Sequence, residues 1–371
     1  MLFLPKKILF VSHNASRAGA PILLLNLAKA IIAAGNYKLD FLLRAGGELE
    51  EEFANAGNVI LPYTKKKSAY EKINTRLFHK HYDPLKKINF SQYDIVVLNT
   101  ITHSDLLITI KKKYRGKIIC YIHELNAVIN YLTSSESLAV LFSNTDILLT
   151  PCMSVKNLLT ESYKVDAAKI RMLPYYIPSN KNEFLREEKQ GKKTFLVGGC
   201  GTIELRKGTD LFIQLSQLFK IKYPGLSIKF VWKGGNKNCL EFELLQQDIN
   251  NLDLDNIVFE ESSSDTSAFY AQLDVFVLTS REDPYPLVML EAANHSIPVI
   301  CFENSGGAVE FVEGNGKIVP YLNLEKMSEA IHEYYNNPGE KYDDGYKAKN
   351  KLSRIHQNAN EIARQFFAAI Q

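Results

Sequence analysis

A short stretch around residue 285 combines an anion-attracting turn with nearby acids. An apolar run at residues 275–278 ends in polar residues, and Pro286 suits the first position of a helix because its ring presets φ and it has no N–H to satisfy. The N–H groups of Leu287, Val288 and Met289 would then be free at a helix start, where the helix dipole favours an anion.

Two carboxylates flank this turn. Asp283 comes just before the helix, and Glu291 lies inside it, about 7–8 Å along the axis from Pro286. Because carboxylates repel phosphate, their natural targets are hydroxyl groups beside it. A ligand with hydroxyl groups on both sides of a phosphate is a nucleotide sugar. The alternative is an ordinary buried α/β unit whose loop acids are solvated or cap the helix.

The same stretch resembles a known family. The pattern Asp283-x7-Glu291 within SREDPYPLVMLEAANHSIPV resembles the E-x7-E signature of the group 1 (family 4) retaining glycosyltransferases of GT-B fold. The later SGGAVEFV, residues 305–312, resembles the G-G-x-x-E donor loop of that family. Asp283 stands where the first Glu is usual, with Glu282 directly before it, so which of the two acids reaches the sugar stays open.

The chain length and its strand–loop–helix pattern predict two domains. A chain of 371 residues exceeds one ordinary core, and a β-rich run at 7–12, followed by a loop and a helix starting at Pro21, has its counterpart at 194–208. No G-x-G-x-x-G fingerprint is present, which disfavours an NAD enzyme. The resemblance implies an α/β GT-B protein with two Rossmann-like domains facing each other across a cleft. The expected divisions are an acceptor-side domain at 1–185, a nucleotide-sugar-binding domain at 186–350 and a C-terminal helix at 351–371 that packs back on the first domain.

The resemblance also assigns site residues. Arg206-Lys207-Gly208, before a predicted helix, resembles the family element that grips the donor diphosphate, and Arg206 is expected to replace a second Arg whose place Thr202 takes. His123 follows the apolar run 117–122, and residues at the carboxyl ends of parallel strands face the ligand crevice; a hydrogen-bonded structural role is its alternative. Catalytic roles are implied for Asp283, His123 and Glu291. Donor contacts are implied for Gly19, Arg206, Lys207, Glu282, Tyr285, Pro286, Leu287, Val288, Glu291, Gly306 and Gly307.

Charge is unevenly distributed along the chain. Residues 1–180 carry 23 Lys+Arg against 14 Asp+Glu, a net +9, whereas residues 181–371 have a net −6. Basic and aromatic residues alternate from Thr64 to Asn89, which is typical of a surface for nucleic acid or for anionic lipid, or of a solvated helix pair. The resemblance favours an anionic membrane surface, bound through Lys65–Lys87, and no nucleic acid.

Other features indicate a cytoplasmic protein, peripheral on the inner face of a membrane. No apolar run approaches the ~20 residues that span a bilayer. The beginning, Met1 to Lys7, does not follow the signal-peptide pattern. Five scattered cysteines predict reduced thiols rather than disulfides or a metal cluster.

The resemblance implies a hexosyltransferase-type, retaining, metal-independent enzyme that needs no cofactor. Its donor would be a UDP- or GDP-linked sugar, and its acceptor a glycan or lipid-linked glycan of surface polysaccharide synthesis. Two alternatives stay open. One is a non-catalytic nucleotide-sugar-binding partner subunit, and the other is a sugar-nucleotide epimerase or phosphorylase on the same fold, although no clear proton-transfer groups for the latter are visible.

Overall fold

A computed structural model describes residues 7–35, 37–61, 85, 88–179, 194–236, 238–263 and 265–371. The chain forms two compact units, one comprising residues up to Tyr176 together with Asn358–Gln371, the other Ile177–Gln357. The predicted domain boundary near 185 and most of the predicted Lys65–Lys87 surface lie outside the described residues.

Unit 1 is a parallel sheet with helices. Its strands are β1 Lys7–Ser12, β2 Lys38–Leu43, β3 Asn58–Ile60, β4 Ile95–Asn99, β5 Lys117–Tyr121, β6 Ile147–Thr150 and β7 Ile170–Met172. Its helices are α1 Gly19–Ala34, α2 Glu50–Ala56, α3 Ser104–Lys113, α4 Asn126–Leu132, α5 Ser135–Asn144 and α6 Met153–Asn157, with α14 Ala359–Ala369 from the end of the chain. The strand order is β3-β2-β1-β4-β5-β6-β7, and the pairings among these described strands are parallel.

Helix α1 is buried on most of its surface because α14 covers it. The ring of Phe366 lies 6.5 Å from that of Phe10 in β1, and the ring of Phe367 lies 4.6 Å from that of Tyr37. Lys117 donates from Nζ to the Ile370 carbonyl at 2.8 Å. The last helix is therefore an integral part of unit 1.

Unit 2 repeats this architecture with six strands. Its strands are β8 Phe195–Cys200, β9 Ile228–Lys233, β10 Ile257–Glu260, β11 Val275–Leu278, β12 Val299–Phe302 and β13 Gly316–Val319. Its helices are α7 Thr209–Lys222, α8 Leu240–Asn251, α9 Ser267–Gln272, α10 Leu287–Asn294, α11 Ala308–Val312, α12 Leu324–Asn336 and α13 Pro338–His356. Its order, β10-β9-β8-β11-β12-β13, is that of a Rossmann sheet.

The strand order of unit 2 determines where a ligand can bind. From β8 the chain adds strands first on one side, β9 and β10, and then on the other, β11 to β13, so the switch point of the sheet lies between β8 and β11. Open parallel sheets bind ligands at the carboxyl ends of the strands at such a switch point. Two loops leave the sheet there: residues 201–208, called the β8 loop, and residues 279–286, called the β11 loop. Both are supported by a core in which Val197, Val277 and Trp232 are fully or nearly fully buried.

The strands largely follow the predicted runs, but the end of the chain does not. A single C-terminal helix within 351–371 is expected from the sequence, and this is wrong: α13 ends at His356, and α14 starts at Ala359 after a break. The break is stable because the Asn358 side chain accepts from the Glu361 N–H at 3.1 Å, an N-cap. Helix α1 begins at Gly19 rather than at Pro21.

Candidate functional site

The β8 and β11 loops are attached to each other by backbone and side-chain contacts. The Arg281 N–H donates to the Arg206 carbonyl at 2.8 Å, and the Thr279 hydroxyl donates to the Lys207 carbonyl at 3.1 Å. Gly208 has φ +70°, and a Cβ placed there would lie 2.0 Å from the Thr279 oxygen. A glycine is required at this position both by conformation and by space.

An ion pair joins the two loops at the centre of the site. Lys207 Nζ and Asp283 Oδ2 are 2.5 Å apart, with the side chains only 17% and 9% exposed. Among the described residues, Asp283 Oδ1 has no partner, and Lys207 spends one of its three N–H donors on the pair. The pair therefore keeps both an acceptor and two donors for a ligand.

Arg206 is held differently from Lys207. It donates to the Glu282 carbonyl at 3.0 Å and to Glu204 Oε1 at 2.6 Å. The same Glu204 oxygen accepts from the Thr202 hydroxyl at 3.0 Å, so Thr202 orients the acid that neutralises Arg206. Arg206 lies where the resemblance places it, but its charge is already compensated within the β8 loop.

Sequence reasoning missed a second link between the loops. Arg281 binds Asp210 at the start of α7 through two hydrogen bonds, at 2.9 and 2.8 Å, and also donates to the Leu205 carbonyl at 2.6 Å. This bidentate pair fixes the path of the β11 loop directly before the candidate acids. Its partners are 71 residues apart, and no spacing rule in the sequence connects them.

Helix α10 begins one residue later than predicted. Pro286 is the residue before the helix, with φ −60° and ψ 120°, and Leu287 is the first helical residue. The Met289 N–H donates to the Pro286 carbonyl at 3.2 Å, so the expectation that it is free is wrong: an early turn of hydrogen bonding already uses it. Within the described chain, the N–H groups of Leu287 and Val288 have no partner and remain able to bind an anion.

Glu291 lies on α10 in a largely buried position. Burial raises the pKa of its carboxyl above the ordinary value, and the nearby hydroxyl groups of Tyr270 and Thr266 oppose this shift. The pKa of the Cys200 thiol is raised to about 12, chiefly by burial and then by the charge of Glu291, whereas Tyr270, Lys207 and Lys233 lower it. Cys200 is the last residue of β8, so the charges of Glu291 and Lys207 act on a thiol at the carboxyl end of that strand.

The glycine loop continues this edge. The Asp283 N–H donates to the Ser305 carbonyl at 2.7 Å, and the Gly307 N–H donates to the Pro284 carbonyl at 2.9 Å. Gly306 has φ +128°, a conformation that favours glycine. The structure therefore brings the predicted Gly306 and Gly307 directly beside Asp283.

Tyr285 points into the protein rather than to the surface. It is 8% exposed, and its hydroxyl lies 3.1 Å from Nε2 of the buried His356 at the end of α13. The His356 carbonyl in turn accepts from the Ile177 N–H at 2.8 Å. Tyr285 thus anchors the β11 loop to the end of α13. Its predicted contact with the nucleotide-sugar donor stays a prediction.

His123 and Gly19 belong to unit 1. His123 Nε2 lies 2.7 Å from the Asn99 side-chain oxygen, and Nδ1 lies 3.1 Å from the Tyr175 hydroxyl, which places the ring hydrogen on Nε2. Burial, followed by the charge of His13, lowers the pKa of His123 to about 3. The imidazole is neutral and both nitrogens are engaged. Gly19 is the exposed first residue of α1.

Glu124 is a buried acid that the sequence analysis did not single out. Its Oε2 accepts from the His123 N–H at 2.9 Å, and the side chain is nearly inaccessible. Burial raises the pKa of Glu124 to about 7, although hydrogen bonds from the backbone of His123 and Ile101 lower it. The only sequence signal was its position directly after His123 at the carboxyl end of a strand.

The described residues also bear on metal binding and on membranes. Over the described parts of the chain, no group of three or more His, Cys, Asp or Glu side chains is arranged to hold a metal ion. Over the same parts, the helices are too short or too polar to cross a bilayer. The five cysteines are free thiols, and three of them are buried.

Comparisons with known proteins show which sequences this chain is similar to. Residues 194–337 match the family model described as glycosyl transferases group 1. A protein of Haemophilus influenzae described as an uncharacterized glycosyltransferase is 25% identical over 342 residues, which cover 90% of this chain and 91% of that protein. An alpha-galactosylglucosyldiacylglycerol synthase of Streptococcus pneumoniae is 27% identical over 286 residues, which cover 69% of this chain and 72% of that protein.

The fold is also that of solved structures. The structure of HepE from Anabaena in complex with UDP-glucose superposes on this chain with a TM-score of 0.79 at 16% sequence identity. The superposition covers 98% of this chain and 99% of the HepE chain. The family match covers unit 2, in which the β8 and β11 loops contact each other. The chain has the GT-B fold, and residues 194–337 are similar to the group 1 glycosyltransferases.

Proposed function

We propose that this protein is a glycosyltransferase, specifically a retaining, metal-independent hexosyltransferase that uses a UDP-linked sugar, with a GDP-linked sugar as the second choice. Its acceptor is a glycan or a glycolipid of surface polysaccharide synthesis. The observation that carries the proposal is the Lys207–Asp283 pair at the switch point of unit 2, next to the unpartnered N–H groups of Leu287 and Val288.

Lys207 and the start of α10 are suited to a leaving diphosphate. The charge on that group grows as the bond to the sugar breaks, and preorganised donors stabilise it most in the transition state. Lys207 contributes two uncommitted N–H donors, and Leu287 and Val288 contribute backbone N–H groups at the positive end of a helix. Arg206 contributes less, because Glu204 already neutralises it. These cationic and N–H groups support a reaction without a metal.

The carboxylates are assigned to hydroxyl groups. Asp283 Oδ1 accepts a hydrogen bond from a hydroxyl of the donor sugar, while Oδ2 stays on Lys207. Glu291, farther along α10, accepts from the ribose hydroxyl groups. Glu282 stays the alternative to Asp283, although its carbonyl is bound to Arg206. Gly306 and Gly307, beside Asp283, let the donor approach the backbone closely.

Retention follows if transfer occurs on one face of the sugar. The bond between the anomeric carbon and the phosphate oxygen breaks, the acceptor oxygen bonds to the same face, and the acceptor proton passes to the departing phosphate oxygen. The state of His123 supports this route, because both of its ring nitrogens are engaged and its pKa is lowered, so the ring is a poor proton acceptor. His123 then fixes the loop that it belongs to.

The donor and acceptor classes rest on the relatives. HepE was crystallised with UDP-glucose, which favours uridine as the base. The streptococcal relative is named for a glycolipid product, which favours a lipid-linked acceptor. A cytoplasmic enzyme that binds an anionic membrane surface through Lys65–Lys87 would meet such an acceptor, and most of this segment lies outside the described residues. Association with anionic vesicles that salt does not weaken would contradict this surface.

The first experiment is thermal unfolding against UDP- and GDP-linked sugars, since a ligand that binds the folded state raises Tm by mass action. We expect a shift with one nucleotide class and its loss in Glu291→Ala. Transfer is then followed by NMR with the identified donor, with and without EDTA, and a product of the donor's own anomeric configuration is expected. Inversion of configuration or abolition by EDTA would refute the corresponding part of the proposal. Binding without transfer would favour a non-catalytic partner subunit.

A further inference from the structure

The short helix α11, which follows the Gly306–Gly307 loop, is held at its far end by one side chain. Lys351 of α13 donates from Nζ to three backbone carbonyls at the end of α11: Glu310 at 3.0 Å, Phe311 at 2.7 Å and Glu313 at 3.2 Å. Its ammonium also lies 5.6 Å from the centre of the Phe311 ring. All three N–H donors of Lys351 are thus engaged with the end of α11.

The near end of α11 belongs to the donor site. Its cap residue, Gly307, donates to the carbonyls of Pro284 and Asp283, and the Asp283 N–H donates to Ser305. Helix α11 has only five residues, so a displacement at its far end is transmitted to Gly307. Gly307 in turn sets the backbone position of Asp283, the partner of Lys207.

On the side of α11 that Lys351 contacts, no apolar packing among the described residues takes over the role of the Lys351 hydrogen bonds. An open cavity of about 390 Å³ lies there, lined by Glu313, Asn315, Lys347 and Lys351 among others. Carbonyls at a helix end that face such a space need a hydrogen-bond donor. Asn315 supplies one bond, to the Phe311 carbonyl at 2.7 Å, and Lys351 supplies the other three.

We infer that Lys351 is a positioning residue for the donor site: by holding the end of α11, it keeps the Gly306–Gly307 loop and Asp283 in register to bind the sugar diphosphate. The inference rests on the proposed function. It also separates two parts of the donor, because Lys351 supports the loop assigned to the sugar and diphosphate, whereas the ribose is assigned to Glu291 on α10.

The test compares two ligands on the full-length protein: the nucleotide sugar that raises Tm, and its nucleoside monophosphate (UMP or GMP). Lys351→Met keeps the aliphatic stem and removes the three donors. We expect it to weaken binding of the nucleotide sugar about tenfold, or ~1.4 kcal/mol, and to change binding of the monophosphate less than about twofold. Lys351→Arg, which restores cationic donors, should recover at least part of the loss.

Lys347→Met is the matched control. Lys347 lies one turn earlier on α13 and lines the same cavity, but it is half-exposed and pairs with Asp343 at 2.6 Å. The Lys347→Met protein should bind the nucleotide sugar and the monophosphate as tightly as the wild type does. Equal weakening of both ligands in Lys351→Met would indicate general loosening of unit 2 and overturn the inference, as would unchanged binding of both. A wild-type protein that binds no nucleotide sugar at all would instead refute the proposed function.

Discussion

The Lys207–Asp283 pair makes a quantitative prediction about stability. Lys207→Met would leave the Asp283 carboxylate, only 9% exposed, without its cation. Removing one partner of a buried ion pair costs about 3–5 kcal/mol, whereas exposed pairs contribute about 0–1 kcal/mol. Because 17% of the Lys207 side chain still reaches water, we expect the lower limit, about 3 kcal/mol.

The assay uses the single tryptophan of the chain. Trp232 is buried in the core of unit 2 and donates to the Gly201 carbonyl at 3.1 Å, so its fluorescence during urea unfolding reports on unit 2. A double-mutant cycle with Lys207→Met and Asp283→Asn isolates the pair from other effects of each change. We expect a coupling free energy of about 2 kcal/mol.

The same cycle on Lys220–Asp255 is the control. That pair has a similar separation, 2.8 Å, but its side chains are 43% and 84% exposed. Its coupling should be much weaker than that of the Lys207–Asp283 pair, because water and salt screen exposed charges. Equal coupling free energies in the two cycles would mean that burial does not strengthen the Lys207–Asp283 pair. The pair would then not preorganise the site.

Three further predictions concern single residues. Since burial raises the pKa of Glu291, donor affinity measured by calorimetry should increase as pH rises through that pKa, and Glu291→Gln should lose this dependence. The pKa of Glu124 is raised from 4.5 to about 7, so its stabilising contribution is complete below pH 4.5 and is lost as pH rises through 7. The free energy of unfolding of Glu124→Gln should therefore exceed that of the wild type by about 3 kcal/mol at pH 8 and by little at pH 4. Urea unfolding followed by circular dichroism measures this difference. Gly208→Ala should lower the free energy of unfolding of unit 2 by more than about 2 kcal/mol, because it combines φ +70° with a backbone clash; an unchanged urea midpoint would contradict this.

Local patterns in the sequence predict the strands but miss α13. The buried residues of that helix, Lys341, Gly345, Ala348, Leu352 and His356, follow a helical spacing, yet only two of them are ordinary apolar residues. Hydrophobic periodicity therefore gives a weak signal. Gly345 is small because a Cβ there would lie 2.1 Å from the Ser296 carbonyl, and Lys341 is buried because it pairs with Asp274 at 3.1 Å. Such roles depend on partners that are distant in sequence.

In the candidate site, too, some features follow from local sequence patterns and others depend on partners that are distant in sequence. The positions of Asp283 and Glu291 around the start of α10 follow from spacing along one helix, and the sequence predicts them. The neutralisation of Arg206 by Glu204 involves neighbours, but it depends on rotamers that a sequence does not specify. The Arg281–Asp210 pair depends on the strand order that brings two loops together.

The contacts between the β8 and β11 loops bear on how the enzyme would work. Each loop carries a charge, on Lys207 and on Asp283, that is costly to bury alone. The Arg281 backbone N–H and the Thr279 hydroxyl hold the loops together, so the two charges are close before any ligand binds. Groups that are already oriented need not reorganise when charge develops on a leaving diphosphate, and this makes them effective in a transition state. The ion pair is therefore better understood as a prepared binding site than as a contribution to stability alone.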